Sequence, residues 1–346
     1  RPSERTLMTQ STVRFGLLGA AAITPLAMVT PAREIDGVSL DVIAARDPAR
    51  AQEFAETHGI HRVGEHYQAV VDDPDIDAVY IALPISAHAE WAIAALEAGK
   101  HVLCEKSLCQ NAREAERIKR AAEASGRVLM DAFHYRYHPM FEAAKRCVVS
   151  GELGAIRHID ARFHVKGPVS AHDIRKIYAL GGGVTTDIGC YPLSWLRHLM
   201  GEEPDVLSVE AKEDPVDVDV ALAADLRFPS GATGRISGRM DESSRFCAAV
   251  LISGEAGQLS LVNPLVPQLG HRFHLRKGGE VIDRTFDQKT TYAYQLEAFL
   301  AATWGEDTNL TDAEDGLKQM QLIDAVYARG GLRPRGEGEA RAGQSG

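Results

Sequence analysis

Short runs that are apolar at almost every position punctuate the first 133 residues. They are "VRFGLLG" (13–19), "LDVIAARD" (40–47), "DAVYIAL" (77–83), "HVLCE" (101–105) and "RVLMDAF" (127–133). Unbroken apolar runs of this length predict strands buried on both faces, not the alternating strands of a half-exposed sheet. Helical patterns lie between them. Asp47 followed by Pro48 reads as an N-cap with a first-turn proline, and Gly59 closes that helix. "AHAEWAIAALEAG" ends on Gly99 and "NAREAERIKRAAEASG" on Gly126, glycines suited to the left-handed C-cap. Strand–helix alternation predicts right-handed crossovers and a parallel, doubly wound α/β sheet.

The pattern changes after residue 133. Partly alternating runs at 156–165, 205–213, 219–228, 233–240, 246–254 and 257–262 follow one another with turn signals between them, such as Pro229-Ser-Gly231. Strands without intervening helices predict an antiparallel sheet. Helices at 290–304 and 312–331 close the chain. The segments 163–180 and 263–292 read as loops that carry substrate specificity. The predicted organisation is a leader over 1–12, a nucleotide-type domain over 13–133, an α+β domain over 134–333 and a flexible tail over 334–346.

Two stretches carry candidate chemistry. "GLLGAAAIT" ends the first strand and opens a helix. Gly19 stands where a dinucleotide fingerprint has its first glycine; Ala21 and Thr24 stand at the second and third. The N–H groups at the helix start, at Ala21, Ala22 and Ile23, suit a phosphate. The end of the second strand sorts cofactors. Ala45 has no side chain to hold a ribose hydroxyl, whereas Arg46 can pair with a 2′-phosphate and stack on adenine. This favours NADP, with NAD open if Asp47 turns inward rather than capping its helix. The second stretch is "GGGVTTDIGCYPLSWLRHL" (181–199): a flexible glycine turn, then a helix that brings Asp187 and Tyr191 to one face. The residues alone leave two readings, a capped loop with a buried tyrosine or an acid/base pair.

The chain has 346 residues, a size that suggests two domains. Its net charge of −10 argues against nucleic acid or an anionic membrane as the main partner. Five cysteines without a C-x-x-C pair read as reduced thiols in a cytoplasmic protein, not as a disulfide framework or a zinc site. His134 and His138 have the spacing of helical metal ligands, but Pro139 and the absent H-E-x-x-H glutamate argue against zinc. No metal is expected, and this segment reads as hinge and pocket wall.

Taken in order, "GLLGAAAIT", "AARDPARAQEFA", "HAEWAIAALEAGKHVLCEKSL", "DAFHYRYHP" and "DIRKIYALGGGVTTDIGCYPLS" resemble the glucose-fructose oxidoreductase/inositol dehydrogenase family, Gfo/Idh/MocA. The likeness is to its dihydrodiol and sugar dehydrogenase branch. It runs from about residue 13 to about 333. It implies a Rossmann domain followed by an α+β domain with an open, mostly antiparallel sheet. It also implies pyridine-nucleotide redox chemistry on a sugar, cyclic diol or related alcohol or carbonyl, and a homodimer or homotetramer through the open sheet. By resemblance Lys106 takes the family's catalytic lysine position, and Asp187 and Tyr191 the acid/base motif. Leu83, Pro84, His88, Glu105 and Lys106 join the cofactor contacts, and Arg175 and His172 are substrate candidates. Ser107 replaces the usual proline after the lysine, and Ile85 replaces an asparagine in "PISAH". Tyr191 is the first choice for the proton acceptor, with the Lys106 ammonium lowering its pKa, and Lys106 itself is the alternative proton carrier. Two other functions compete: a sugar–sugar oxidoreductase with tightly bound cofactor, and a non-catalytic NADP-binding sensor.

Overall fold

The computed structural model describes residues 11–168 and 170–337. Most of the predicted leader, and the tail beyond 337, lie outside the described residues. The apolar runs of the first part become strands β1 (Val13–Leu18), β2 (Val38–Ala44), β3 (Arg62–Val63), β4 (Ala78–Ile81), β5 (His101–Cys104) and β6 (Leu129–Asp131). They pair in parallel in the order β3-β2-β1-β4-β5-β6. β4 and β6 are buried throughout, as continuous apolar runs require. β3, two residues long, carries no apolar run and is absent from the sequence reading. The strand order reverses between β1 and β4, and that crevice at the carboxyl ends is where doubly wound sheets bind ligands.

The predicted caps are present. Asp47 accepts a hydrogen bond from the Ala49 N–H at 2.9 Å, and Gly59 is left-handed at φ 74°. Asp47 therefore caps the helix Pro48–His58 instead of turning toward a ribose. Asn111 caps the helix Ala112–Ser125, which Gly126 closes at φ 63°.

The second sheet has eight strands: β7 (Ile156–His164), β8 (Asp205–Glu213), β9 (Asp219–Arg227), β10 (Thr233–Arg239), β11 (Cys247–Gly254), β12 (Gly257–Val262), β13 (Arg272–Lys277) and β14 (Glu280–Arg284). The order is β14-β13-β12-β11-β7-β10-β9-β8, antiparallel except for the β7–β10 pair. The β13–β14 hairpin corrects the reading of 263–292 as loop. Phe273 and Leu275 point inward, but the alternate positions are Arg272, His274 and Arg276, and this polar face hid the strand. One face of the sheet packs on the helix Cys190–Met200. The other is open and lined by charges paired among themselves, Arg162 with Asp160 and Arg235 with Asp225.

The last two helices return to the first sheet. Leu296, Phe299 and Leu300 of the helix Thr291–Thr303 pack with Phe15 and Leu17 of β1, the Phe15 and Phe299 rings lying 5.4 Å apart. The helix Ala313–Arg329 packs on Ala112–Ser125. The predicted flexible tail begins too early: Arg335 is 1% exposed and ion-paired with Asp219 of β9. No helix of the described residues is long and apolar enough to cross a membrane.

Candidate active site

At the carboxyl end of β1 the chain turns at Gly19, whose φ of 101° is left-handed. A Cβ there would stand 2.4 Å from the Ala82 carbonyl oxygen, so the turn needs glycine to lie against the end of β4. The N–H groups of Ala21, Ala22 and Ile23 have no acceptor among the described residues. The hydroxyl of Thr24 is fully buried and also lacks a partner. Ala45 and Arg46 follow β2. Arg46 is exposed and has no side-chain partner among the described residues. Arg50, one helical turn on, donates to the Ala20 carbonyl at 2.9 Å and so holds a second guanidinium beside the loop. The sequence reading missed Arg50, although its place in the first turn of the helix capped by Asp47 was the available signal. Free N–H groups, an unpartnered buried hydroxyl and two guanidinium groups fit the phosphates of a dinucleotide, including a 2′-phosphate.

Lys106 follows β5, and its side chain meets the start of the helix Cys190–Met200. Its ammonium donates to the Asp187 carbonyl oxygen at 2.6 Å and to Asp187 Oδ1 at 3.2 Å. It lies 5.4 Å from the centroid of the Tyr191 ring. A π-helical turn, Thr185–Gly189, carries Asp187, and the first turn of the helix after it carries Tyr191, both beside the same lysine. Tyr191 is 5% exposed, walled by Phe133 and Phe163, with its hydroxyl 3.3 Å from His134 Nε2. Lys106, Asp187 and Tyr191 are thus brought together.

The glycine turn before them is packed, not flexible. Gly181 and Gly183 have φ values of 82° and 137°. A Cβ on Gly181 would meet Ile85 at 2.9 Å, and one on Gly183 would meet Asp219 Oδ1 at 2.3 Å. Arg335 donates to the Gly182 carbonyl at 2.8 Å and to Asp219 Oδ1 at 2.6 Å. Asp219 Oδ2 accepts from the Thr185 N–H at 2.8 Å. The segment read as a tail therefore fixes the turn that carries Asp187.

Burial pushes the Tyr191 phenol well above its ordinary range, and the neighbouring acidic and phenolic groups push the same way. This corrects the expected lowering by Lys106. Burial opposes the Lys106 charge, yet Asp187 and the groups around it hold its pKa above that of a free lysine. At neutral pH the pair is therefore an ammonium and a neutral phenol. Burial, with Lys106 and His138 beside it, lowers His134 to about 3, so this imidazole is neutral.

Other expected residues stand elsewhere. Leu83 and Pro84 sit half-buried on the turn after β4, at the crevice. His88 places both ring nitrogens on backbone carbonyls, Ser107 at 2.9 Å and Leu83 at 2.8 Å, so it braces this rim from behind instead of offering a side-chain ligand. Glu105 is buried and accepts from the Tyr80 hydroxyl at 2.7 Å. Arg175 forms a two-pronged pair with Asp173, both contacts at 2.8 Å, and His172 is exposed on the same loop. No group of three histidine, cysteine or acidic side chains among the described residues could hold a metal ion.

Residues 13–133 match the family model of the Gfo/Idh/MocA oxidoreductases with an NAD-binding Rossmann fold, and residues 141–260 match the family's C-terminal domain. The chain belongs to the Gfo/Idh/MocA oxidoreductase family. It is 34% identical over 313 residues to the D-xylose 1-dehydrogenase (NADP(+)) 2 of Haloferax volcanii, covering 90% of this chain and 96% of that one. Among solved structures it is similar to a 3-ketoreductase from Actinomadura kijaniata in complex with NADP and TDP-benzene. That likeness has a TM-score of 0.83 and 28% identity over 92% of this chain and 98% of that one. It is also similar to the aldose-aldose oxidoreductase of Caulobacter crescentus, with a TM-score of 0.84 and 26% identity over 92% and 97%. In this Gfo/Idh/MocA chain, Ser107 follows the lysine through a cis peptide and donates its hydroxyl to the Thr186 carbonyl at 2.8 Å. The serine thereby ties the lysine turn to the Asp187 helix, a contact that proline could not make.

Proposed function

We propose that this chain is an NADP(H)-dependent oxidoreductase that interconverts a carbonyl and a hydroxyl on a sugar, cyclic diol or related compound. The observation that carries the reading is the meeting of Lys106, Asp187 and Tyr191 at the carboxyl end of the Rossmann sheet. Bound NADPH supplies a hydride. The loop N–H groups at Ala21, Ala22 and Ile23 would hold its pyrophosphate, and Arg46 with Arg50 its 2′-phosphate. Tyr191, kept neutral by burial, is poised as a general acid that gives its proton to the carbonyl oxygen. Lys106, kept charged beside Asp187, stabilises the oxygen anion as it develops. In the reverse direction the same phenol, once ionised, takes the proton. Asp187 orients the lysine. A charged ammonium beside a neutral phenol is the protonation state that carbonyl reduction requires. The open face of the second sheet, where Leu251 and Val262 are exposed, is the surface we assign to a second copy of the chain.

The likeness to an aldose-aldose oxidoreductase supports a second reading, in which the nucleotide stays bound and hydride passes between two sugars. Nucleotide that co-purifies and resists dialysis would favour it.

The cofactor half of the proposal is tested by titrating NADPH and NADH into the protein. NADPH is expected to bind more tightly. Arg46→Ala should weaken NADPH binding by about tenfold to a hundredfold, the worth of one charge-assisted contact, and leave NADH unchanged. Equal losses for both nucleotides would remove Arg46 from the 2′-phosphate site.

A further inference from the structure

His134 lies immediately behind the proton-transfer group. It opens a 3₁₀ turn, His134–Tyr137, just after β6, and is 2% exposed. Its Nε2 is 3.3 Å from the Tyr191 hydroxyl and its Nδ1 is 2.7 Å from the Thr291 hydroxyl. The imidazole rests on the Tyr292 ring, with centroids 4.1 Å apart and planes 31° from parallel. Thr291 opens the helix Thr291–Thr303, but the cap is Thr290, so the Thr291 hydroxyl is free to serve the imidazole.

A neutral imidazole carries one N–H and one lone pair, and the partner of one nitrogen decides the role of the other. We infer that Thr291 donates to Nδ1 of His134, that His134 Nε2–H donates to the Tyr191 oxygen, and that His134 is thereby a positioning residue for the phenol. The inference rests on the proposal that Tyr191 moves the proton.

The arrangement has two consequences. An oxygen that accepts from Nε2–H must direct its own hydrogen elsewhere, which leaves that hydrogen for the substrate carbonyl. When the hydrogen has gone to that oxygen, the phenolate left on Tyr191 still holds a hydrogen-bond donor. The other titratable groups around the phenol do not replace this donor. Glu105 and Lys106 come from the turn after β5, Asp187 from the π-helical turn, Cys190 from the phenol's own helix, Tyr292 from the helix Thr291–Thr303, and Tyr135 from the 3₁₀ turn. Lys106 is the cation of this set, and its near hydrogen bonds go to Asp187.

The test compares wild type, His134→Leu and His134→Gln in the alcohol-oxidation direction across pH, each also in a Tyr191→Phe background. Glutamine keeps an N–H near the position of Nε2. His134→Leu should lower kcat about tenfold to a hundredfold, the worth of a donor to a charged oxygen, with KM for the nucleotide unmoved. Its rise in rate with pH, which follows ionisation of Tyr191, should move to higher pH. His134→Gln should recover most of both. Neither change should add to the loss in Tyr191→Phe. Nitrogen-15 NMR of labelled histidine supplies a readout independent of turnover and of the leucine variant's folding: His134 should be the neutral Nε2–H tautomer. An Nδ1–H tautomer, or an unmoved pH profile in His134→Leu while Tyr191→Phe is inactive, would overturn the inference. Near-normal turnover of Tyr191→Phe would instead overturn the reading beneath it.

Discussion

Replacing Tyr191 by phenylalanine is expected to lower turnover by about two to four orders of magnitude while leaving NADPH affinity unchanged. The magnitude is that of losing a positioned general acid. The ring is walled by Phe133 and Phe163, and phenylalanine fills the same space, so packing should survive. What disappears is the oxygen between His134 Nε2 and the substrate side. Steady-state kinetics with a reducible sugar, alongside a fluorescence titration of NADPH, separates the two effects. A loss shared equally between nucleotide binding and turnover would point to a disturbed pocket, and normal turnover would remove Tyr191 from proton transfer.

Arg335→Ala should be the most damaging change outside the pocket, costing about 3–5 kcal/mol of stability. The guanidinium is 1% exposed, its partner Asp219 is fully buried, and the ring of Tyr327 covers it at 4.6 Å. Deleting the arginine leaves the Asp219 carboxylate buried without its counter-ion, and that uncompensated charge is the source of the cost. The same change frees the Gly182 carbonyl and loosens the turn that presents Asp187 to Lys106. Thermal and urea denaturation should therefore show a clear loss of stability, with reduced turnover in the fraction that stays folded. Arg335→Lys keeps the charge but not the two-pronged geometry, and should fall between the two. A wild-type midpoint in Arg335→Ala would mean that the ion pair contributes nothing net.

Five strands of the first sheet were legible because their burial makes them mostly apolar runs, whereas β3, two residues long and partly exposed, gave no such run. The β13–β14 hairpin was hidden because its outward positions carry Arg272, His274 and Arg276, and such a run reads as loop. Local chemistry was also legible where partners are close in sequence, as with the Asp47 cap and the shared face of Asp187 and Tyr191. Contacts across long separations were not. Lys106 meets Asp187 across 81 residues, and family resemblance, not spacing, joined them. Arg335 meets Asp219 across 116 residues, and a glycine-rich, charged stretch gave no sign of a buried arginine. His134 and His138 drew attention as a metal-like pair four residues apart. In the structure His134 turns to Tyr191 and Thr291, while His138 caps the helix Pro139–Val149. The three glycines suggested mobility, yet the space around each is filled by Ile85, Arg175, Asp219 and Arg335.

The chemistry proposed for this pocket is transfer of a hydride and a proton between NADP(H) and a sugar-like carbonyl. The most direct measurement is the change in nicotinamide absorbance when the protein is mixed with NADPH, or with NADH, and a panel of keto sugars, aldoses and cyclic diketones. Consumption of NADPH by a member of that panel, faster than NADH and abolished by Lys106→Ala, is the predicted result. No consumption of either nucleotide by any member, from protein shown to bind NADPH, would contradict it and leave a nucleotide-binding protein without this chemistry.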